Sequence, residues 1–250
     1  MTTTNAYEAH FRPSSEKEGG ASVPFARVLG KEDFDSDVRW VDLCIVKPGA
    51  QIGVHEHLVD DEIYCILRGS AVMVSSGQEK AVAPGDAVLL RCGGSHGLRN
   101  ESGEEVHVLV IDVLAAPDKE GRSFWRSLAN VPLETRRSSV GGVGRIRVGD
   151  IFSSDELGPA WDFIQSVVVP PGCSIGAHEH VDTEEIYYFL AGRGVVTVND
   201  EQAAFGPDTV SLCPSGGRHG LVNESDQDFE LLAIQVPVAG NTIRHPAAAL

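Results

Sequence analysis

The stretch GVHEHLVDDEIYCILRG, Gly53–Gly69, sets His55 and His57 one residue apart, ahead of an acidic cluster that ends in Glu62. On an extended strand, side chains two residues apart share a face, so His55 and His57 point one way and Glu56 the other. A four-residue connection then leads to Glu62. The expected arrangement places Glu62 on the neighbouring antiparallel strand, with its carboxylate aimed at the spot faced by both imidazoles. Tyr64, two residues further on, shares that inward face. Downstream, the turn-forming Cys92-Gly93-Gly94-Ser95 precedes His96, which supplies a third imidazole.

The same design is written a second time. GAHEHVDTEEIYYFLAG, Gly176–Gly192, carries His178, His180, Glu185 and Tyr187 at matching places. When the chain is slid on itself by 123 residues, Gly49–Asn100 overlays Gly172–Asn223 without a gap, and about twenty of the fifty-two positions are identical. His96 falls on His219 and Asn100 on Asn223, and the match fades beyond Val113 and Val236. A period of about half the chain implies two similar domains, not a solenoid of short units. His10, His107 and His245 have no counterpart in the repeat and receive no role.

Within each copy, apolar runs such as WVDLCIV, SAVMV, VHVLVIDV, FIQSVVV and FELLAIQV are short, rich in Val and Ile, and bounded by Gly, Pro, Asn or Asp. Such runs read as strands. Ser76-Gly77 and Asn199-Asp200 are expected hairpin tips, and Pro84-Gly85-Asp86 and Gly206-Pro207-Asp208 are further turns. The expected class is all-β, with a sandwich or barrel in each half. The expected boundaries are a mobile arm over 1–22, one domain over 23–115, a connector with a short central helix over 116–142, a second domain over 143–240 and a tail over 241–250.

Twenty Lys and Arg against thirty-six Asp and Glu give a formal charge of -16. That balance argues against a nucleic-acid or anionic-membrane partner, both of which call for clustered basic residues. The opening MTTTNAYEAHFRPSSEKEGG lacks the basic flank and apolar run of a signal peptide, and no apolar stretch approaches eighteen residues. A cytoplasmic protein is the expectation. Cys44, Cys65, Cys92, Cys173 and Cys213 show no CxxC spacing and read as small buried hydrophobes.

Three imidazoles and a carboxylate converging inside a barrel are costly to bury with nothing to bind. A divalent transition metal, up to two per chain, answers that cost. With nitrogen and one oxygen but no thiolate, the set suits Mn, Fe, Co, Ni, Cu or Zn. His55, His57, Glu62 and His96 form one ligand set, and His178, His180, Glu185 and His219 form the other. Four protein ligands leave two positions of an octahedral ion for water, dioxygen or a chelating substrate. The charge left on the ion favours a small anionic chelator as substrate.

These motifs resemble those of the two-domain cupins, or bicupins. The first family motif is met in full by Gly49, His55, His57, Glu62 and Gly69, and again by Gly172, His178, His180, Glu185 and Gly192. The second is met by Gly85, Gly93, His96 and Asn100, with Arg91 where proline is expected, and by Pro214, Gly216, His219 and Asn223, with Asp208 where glycine is expected. The resemblance implies a small jelly-roll barrel in each half with a metal inside. It also implies an enzyme, first a dioxygenase-type oxidoreductase, alternatively a metal-dependent isomerase, decarboxylase or lyase, or else a non-catalytic binding or storage protein. The resemblance also leaves a homodimer as an alternative to a monomer, because fusing two barrels already satisfies the interface that single-domain relatives satisfy by dimerising. Tyr64 and Tyr187 are the catalytic candidates, able to donate a proton or hold a substrate oxygen, and a structural barrel tyrosine is the alternative. Asn100 and Asn223 either orient a ligand histidine or bond a turn. Ser95 aligns with Arg218, Arg91 with Pro214 and Cys65 with Tyr188, so the two pockets need not do the same work.

Overall fold

A computed structural model describes residues 2–13, 23–138 and 141–238. The chain divides into two compact units. One, the N-terminal barrel, takes Ala9–Asp33 and Val38–Asn130; the other, the C-terminal barrel, takes Met1–Glu8, Phe34–Asp37 and Val131–Leu250. Among the described residues no helix is long and apolar enough to cross a membrane.

Each barrel is a jelly-roll sandwich of one seven-stranded and one four-stranded sheet. In the N-terminal barrel the small sheet runs in the order Gln51–Glu56, Ser95–Arg99, Ala71–Ser75, Gln78–Val82. Its large sheet runs Ser123–Ser127, Asp86–Leu90, Asp60–Arg68, Val106–Leu114, Val38–Val46, Pro24–Gly30, Phe11–Pro13. The C-terminal barrel repeats both orders, with His178 on Ser174–Glu179 and Glu185 on Thr183–Ala191. Side chains from the two facing sheets fill the space between them. Val46, Tyr64, Ile66, Met73, Leu98 and Val108 belong to one core, and Val167, Tyr187, Phe189, Val196, Leu221 and Phe229 to the other. Burying each large aliphatic or aromatic side chain contributes about 1.5–3 kcal/mol, which is what holds two sheets of short strands together.

The turn chemistry follows the residue types. Ser76 and Gly77 take φ 48° and 76°, and Asn199 and Asp200 take 48° and 66°, the two left-handed residues that a tight hairpin requires. Gly85 has φ 87° and Asp208, its counterpart, 65°. Aspartate therefore keeps the turn where glycine was expected, and its Oδ1 accepts a 2.8 Å hydrogen bond from the Tyr188 hydroxyl. Arg91 likewise preserves its loop. Gly94 N donates to Arg91 O at 3.1 Å, as Gly217 N does to Pro214 O at 2.9 Å. The buried Arg91 guanidinium donates to Asp61 at 2.9 Å, and Asp61 also accepts from Cys92 N at 2.7 Å.

Three expectations are corrected. Residues 1–22 are not all a mobile arm: Thr2–Asn5 pairs antiparallel with Thr209–Cys213 and Phe11–Pro13 with Pro24–Gly30, so exposed sheet edges recruit polar segments that carry no apolar pattern. Residues 14–22 and the tail 241–250 lie outside the described residues. Among its described residues the connector has no α-helix. Ser123–Ser127 pairs with Asp86–Leu90, Leu128–Asn130 is a single 3-10 turn, and Glu134–Arg137 pairs with Arg145–Asp150. Finally, Glu62 is not on the strand next to His55; it comes from the facing sheet.

Asn100 and Asn223 resolve to the turn-bonding role. Asn100 Nδ2 donates to Val46 O and Glu104 O, both at 2.7 Å, while its Oδ1 accepts from Ser102 N and Ser102 Oγ. Asn223 repeats the pattern with Val169, Gln227 and Ser225. Neither touches a histidine through these bonds. Asn100→Asp keeps the shape but loses both donors against buried carbonyls, so it should lower stability by about 2–4 kcal/mol. Urea unfolding followed by tryptophan fluorescence measures this; a loss under about 0.5 kcal/mol would remove the assigned role.

Candidate metal centre

Two backbone devices bring the histidines together. His55 and His96 are direct cross-strand partners, as are His178 and His219. The diglycine turn ahead of the third histidine also grips the backbone of the second. His57 N donates to Gly94 O at 3.0 Å and Gly93 N to His57 O at 2.6 Å, and His180 makes the same exchange with Gly217 and Gly216. Glycine is required in the strand itself. A Cβ on Gly97 would lie 2.9 Å from Ile52 O and from Val54 N, at the bulge between the two histidine strands.

In the C-terminal barrel the Nε2 atoms of His178, His180 and His219 stand 3.0–3.2 Å from one another. Glu185 Oε2 lies 2.8 Å from His219, 3.1 Å from His180 and 3.8 Å from His178. In the N-terminal barrel His55 and His57 Nε2 are 3.0 Å apart, and Glu62 Oε2 is 3.4 Å from His57 and 3.2 Å from His96. Each set is buried except for His55 and His178, which are partly exposed. All eight ligands expected from the sequence thus gather in two groups of four.

The far ring nitrogens fix the near ones. His55 Nδ1 donates to Gly53 O at 2.8 Å and His178 Nδ1 to Gly176 O at 2.9 Å, because a carbonyl can only accept. His57 Nδ1 makes a short bond to the Asp60 carboxylate. In the neutral ring Nε2 is then a bare lone pair aimed at its neighbours. Burial, partly opposed by Glu185, pushes His219 down to about 4, so that ring is neutral. Burial works against the charge on Glu185, but the three histidines gathered around it outweigh burial and hold the carboxyl well below its usual range. Glu62 is likewise opposed by burial and held low by His96 and the other two histidines. Glu62 Oε2 and both oxygens of Glu185 are nevertheless buried without a hydrogen-bond partner. Lone pairs and orphaned carboxylate oxygens packed this closely fit a cation. Donors at right angles, each about 2.1 Å from an ion, stand about 3.0 Å apart, as these atoms do.

The tyrosines differ between centres. Tyr64 OH lies 3.3 Å from His96 Nε2. Tyr187 stacks on His219 with ring centroids 4.6 Å apart, and its buried hydroxyl has no hydrogen-bond partner. Burial and then the charge of Glu185 push Tyr187 well above its ordinary value, so it stays a phenol able to donate.

The sequence reading missed the layer behind the ligands. Asp60, behind His57, also makes a short ion pair with Arg39, whose Nε lies 3.5 Å from buried Asp112. Asp112 is the ladder partner of Glu62. Burial, followed by the charges of Glu62 and Asp60, raises Asp112 to about 9. In the C-terminal barrel, His180 Nδ1 instead meets the Thr183 hydroxyl at 3.2 Å. The overlay by 123 residues already pairs Asp60 with Thr183 and Asp112 with Gln235, and that mismatch was the available signal.

Comparison with known proteins agrees with this geometry. The cupin domain family matches residues 42–112 and again 165–235. An oxalate-binding protein of Thermotoga maritima is 28% identical over 116 residues, covering 46% of this chain and 96% of that protein. Among solved structures, AerE from Microcystis aeruginosa is 18% identical with TM-score 0.64, over 91% of this chain and 97% of that one. A deletion mutant of Bacillus subtilis oxalate decarboxylase OxdC is also 18% identical with TM-score 0.64, over 95% and 79%. At these identities the two structures share the fold. Two copies of one domain, each closing on three histidines and a glutamate, place this chain in the cupin family as a bicupin.

Proposed function

We propose that this chain is a metal-dependent enzyme that binds a small chelating carboxylate at one or both centres. The observation that carries the reading is the pair of largely buried three-histidine, one-glutamate clusters, whose converging Nε2 atoms and orphaned carboxylate oxygens a divalent transition metal would balance. Four protein donors leave coordination positions for a ligand. A doubly charged ion with one ligand glutamate keeps positive charge there, which selects an anion. Similarity to an oxalate-binding protein favours a dicarboxylate or oxoacid of that size.

The bound ion would act as a Lewis acid or, with a redox-active metal, meet dioxygen beside the substrate. The protein's own part is distinct from that choice. His55 and His178, the partly exposed ligands, mark the side from which solvent reaches each cluster. Tyr187, a neutral buried phenol beside His219, would hold a substrate oxygen or give it a proton. Tyr64 offers the same group to the N-terminal centre, where it faces His96.

The Lewis-acid reading, a decarboxylase or lyase, draws on the carboxylate-binding relative. The dioxygenase-type reading draws on the wider family resemblance. Oxygen-electrode and carbon dioxide assays on oxalate and a panel of small oxo- and hydroxyacids separate the two. Turnover undiminished under argon supports the first, and turnover abolished under argon supports the second.

Protein purified without added metal should carry close to two ions per chain by elemental analysis. Removing them with a chelator should lower the melting temperature by several degrees as the ligand lone pairs lose their cation. A content near zero that no added divalent metal restores would defeat the proposed function. Tyr187→Phe should reduce kcat at least tenfold with metal content unchanged if the phenol serves the C-terminal reaction. An unchanged kcat returns Tyr187 to a packing role.

A further inference from the structure

We propose that the two centres differ in cation affinity and that the N-terminal one is the tighter, because Asp60, clamped by Arg39, holds the far nitrogen of His57. This deepens the metal-binding reading above and rests on it. The matching place behind His180 offers only the Thr183 hydroxyl.

A histidine ligand donates better when its other N–H is given to a carboxylate, which fixes the ring and raises the basicity of the metal-facing nitrogen. His57 has that partner through a short bond to Asp60 Oδ1. Arg39 takes the second oxygen of the same carboxylate, so the buried charge is compensated and Asp60 cannot swing away. A neutral hydroxyl 3.2 Å from His180 Nδ1 polarises its imidazole less and restrains it less.

The difference extends beyond one pair. At the positions related by 123 residues, Asp42 becomes Gln165, Asp60 becomes Thr183 and Asp112 becomes Gln235. Each carboxyl behind the N-terminal ligands is thus replaced by an uncharged group. The arginines also go: Arg27 and Arg39 become Asp150 and Asp162. Three acids with two arginines therefore face two acids with none, so summed charge does not favour the N-terminal centre. Contact does. Asp150 and Asp162 receive bonds from the side chains of Gln165 and Gln235, whereas Asp60 bonds a ligand ring directly. Asp60 is accordingly a positioning residue, acting on the ion through His57.

The test uses the full chain with one centre disabled at a time. His180→Ala with His219→Ala leaves the N-terminal centre, and His57→Ala with His96→Ala leaves the other. Each is titrated with Mn(II) alone, with free ion read by electron paramagnetic resonance and heat by calorimetry. The N-terminal centre should bind at least tenfold more tightly. Asp60→Asn in that background should weaken binding about 10–100-fold; the metal-free variant loses the Arg39 pair and melts lower, yet it should still melt in one cooperative transition, an outcome that simple loss of fold would not give. Thr183→Val in the other background, which replaces the hydroxyl with a methyl of similar size, should change binding less than threefold. Equal affinities, a tighter C-terminal centre, or an Asp60→Asn variant that binds as before would overturn the proposal with the metal reading intact. If neither background, nor the unmodified chain, takes up Mn(II), Fe(II) or Zn(II), the metal reading falls and the proposal with it.

Discussion

Three imidazole lone pairs and a carboxylate oxygen held about 3 Å apart in a buried pocket repel one another unless something positive lies between them, and each barrel is built around that constraint. Repulsion at such distances is not screened as it is in water. The chain therefore fixes four of the six imidazoles from behind. Carbonyls of Gly53 and Gly176 hold two rings in the tautomer that exposes Nε2. The diglycine turns hold two more by their backbones. Preorganisation of this kind shifts the cost of assembling the site onto folding, where the two cores supply the compensating burial.

The sandwich architecture explains why the glutamate comes from where it does. The two strands carrying His55 and His96 share the small sheet, and Glu62 reaches across from the large one. The donor set thus spans the gap between the sheets, and whatever fills it cross-links them. Below the ligands the same gap is filled by apolar side chains, with Tyr64 and Tyr187 where core and centre meet. Those tyrosines are at once the top of the hydrophobic core and the nearest phenols to the donors, which is why sequence alone left packing and catalysis undivided for them.

Much of this was legible in the sequence because duplication made weak signals compound. One His-x-His could have been two core histidines; two, each completed by a glutamate and a third histidine at the same offset, specified eight ligands that the fold then gathers. The hairpin tips were legible from Ser76-Gly77 and Asn199-Asp200, whose residue types tolerate positive φ. Three things were not legible. Thr2–Asn5 has no apolar alternation, so only an available sheet edge reveals it as a strand. The connector over 116–142 was expected to hold a short helix at its centre, yet the edge beside Asp86–Leu90 captures Ser123–Ser127 as a strand. The short four-residue link suggested a hairpin between His57 and Glu62, but the chain uses it to turn a corner between sheets.

The layer behind the ligands shows how duplication can change chemistry without disturbing the fold. On the ladder between the second and third strands from one end of the large sheet, Arg27 donates to Asp42 at 2.6 Å; at the matching rungs of the other barrel Gln165 donates to Asp150 at 2.8 Å. A second site differs: Gln235 donates to Asp162 at 3.1 Å, whereas Arg39 stands 3.5 Å from Asp112, whose buried oxygens have no hydrogen-bond partner. At the first pair the cross-strand bond survives while donor and acceptor exchange strands. Such an exchange is open to a sheet because the ladder needs a satisfied polar pair at each rung and not a particular polarity. What it alters is the group left facing the ligand glutamate: a buried carboxyl beneath Glu62, an amide beneath Glu185. Two barrels with one backbone plan therefore set their donor groups on different electrostatic floors, one layer away from the donors that the two barrels share.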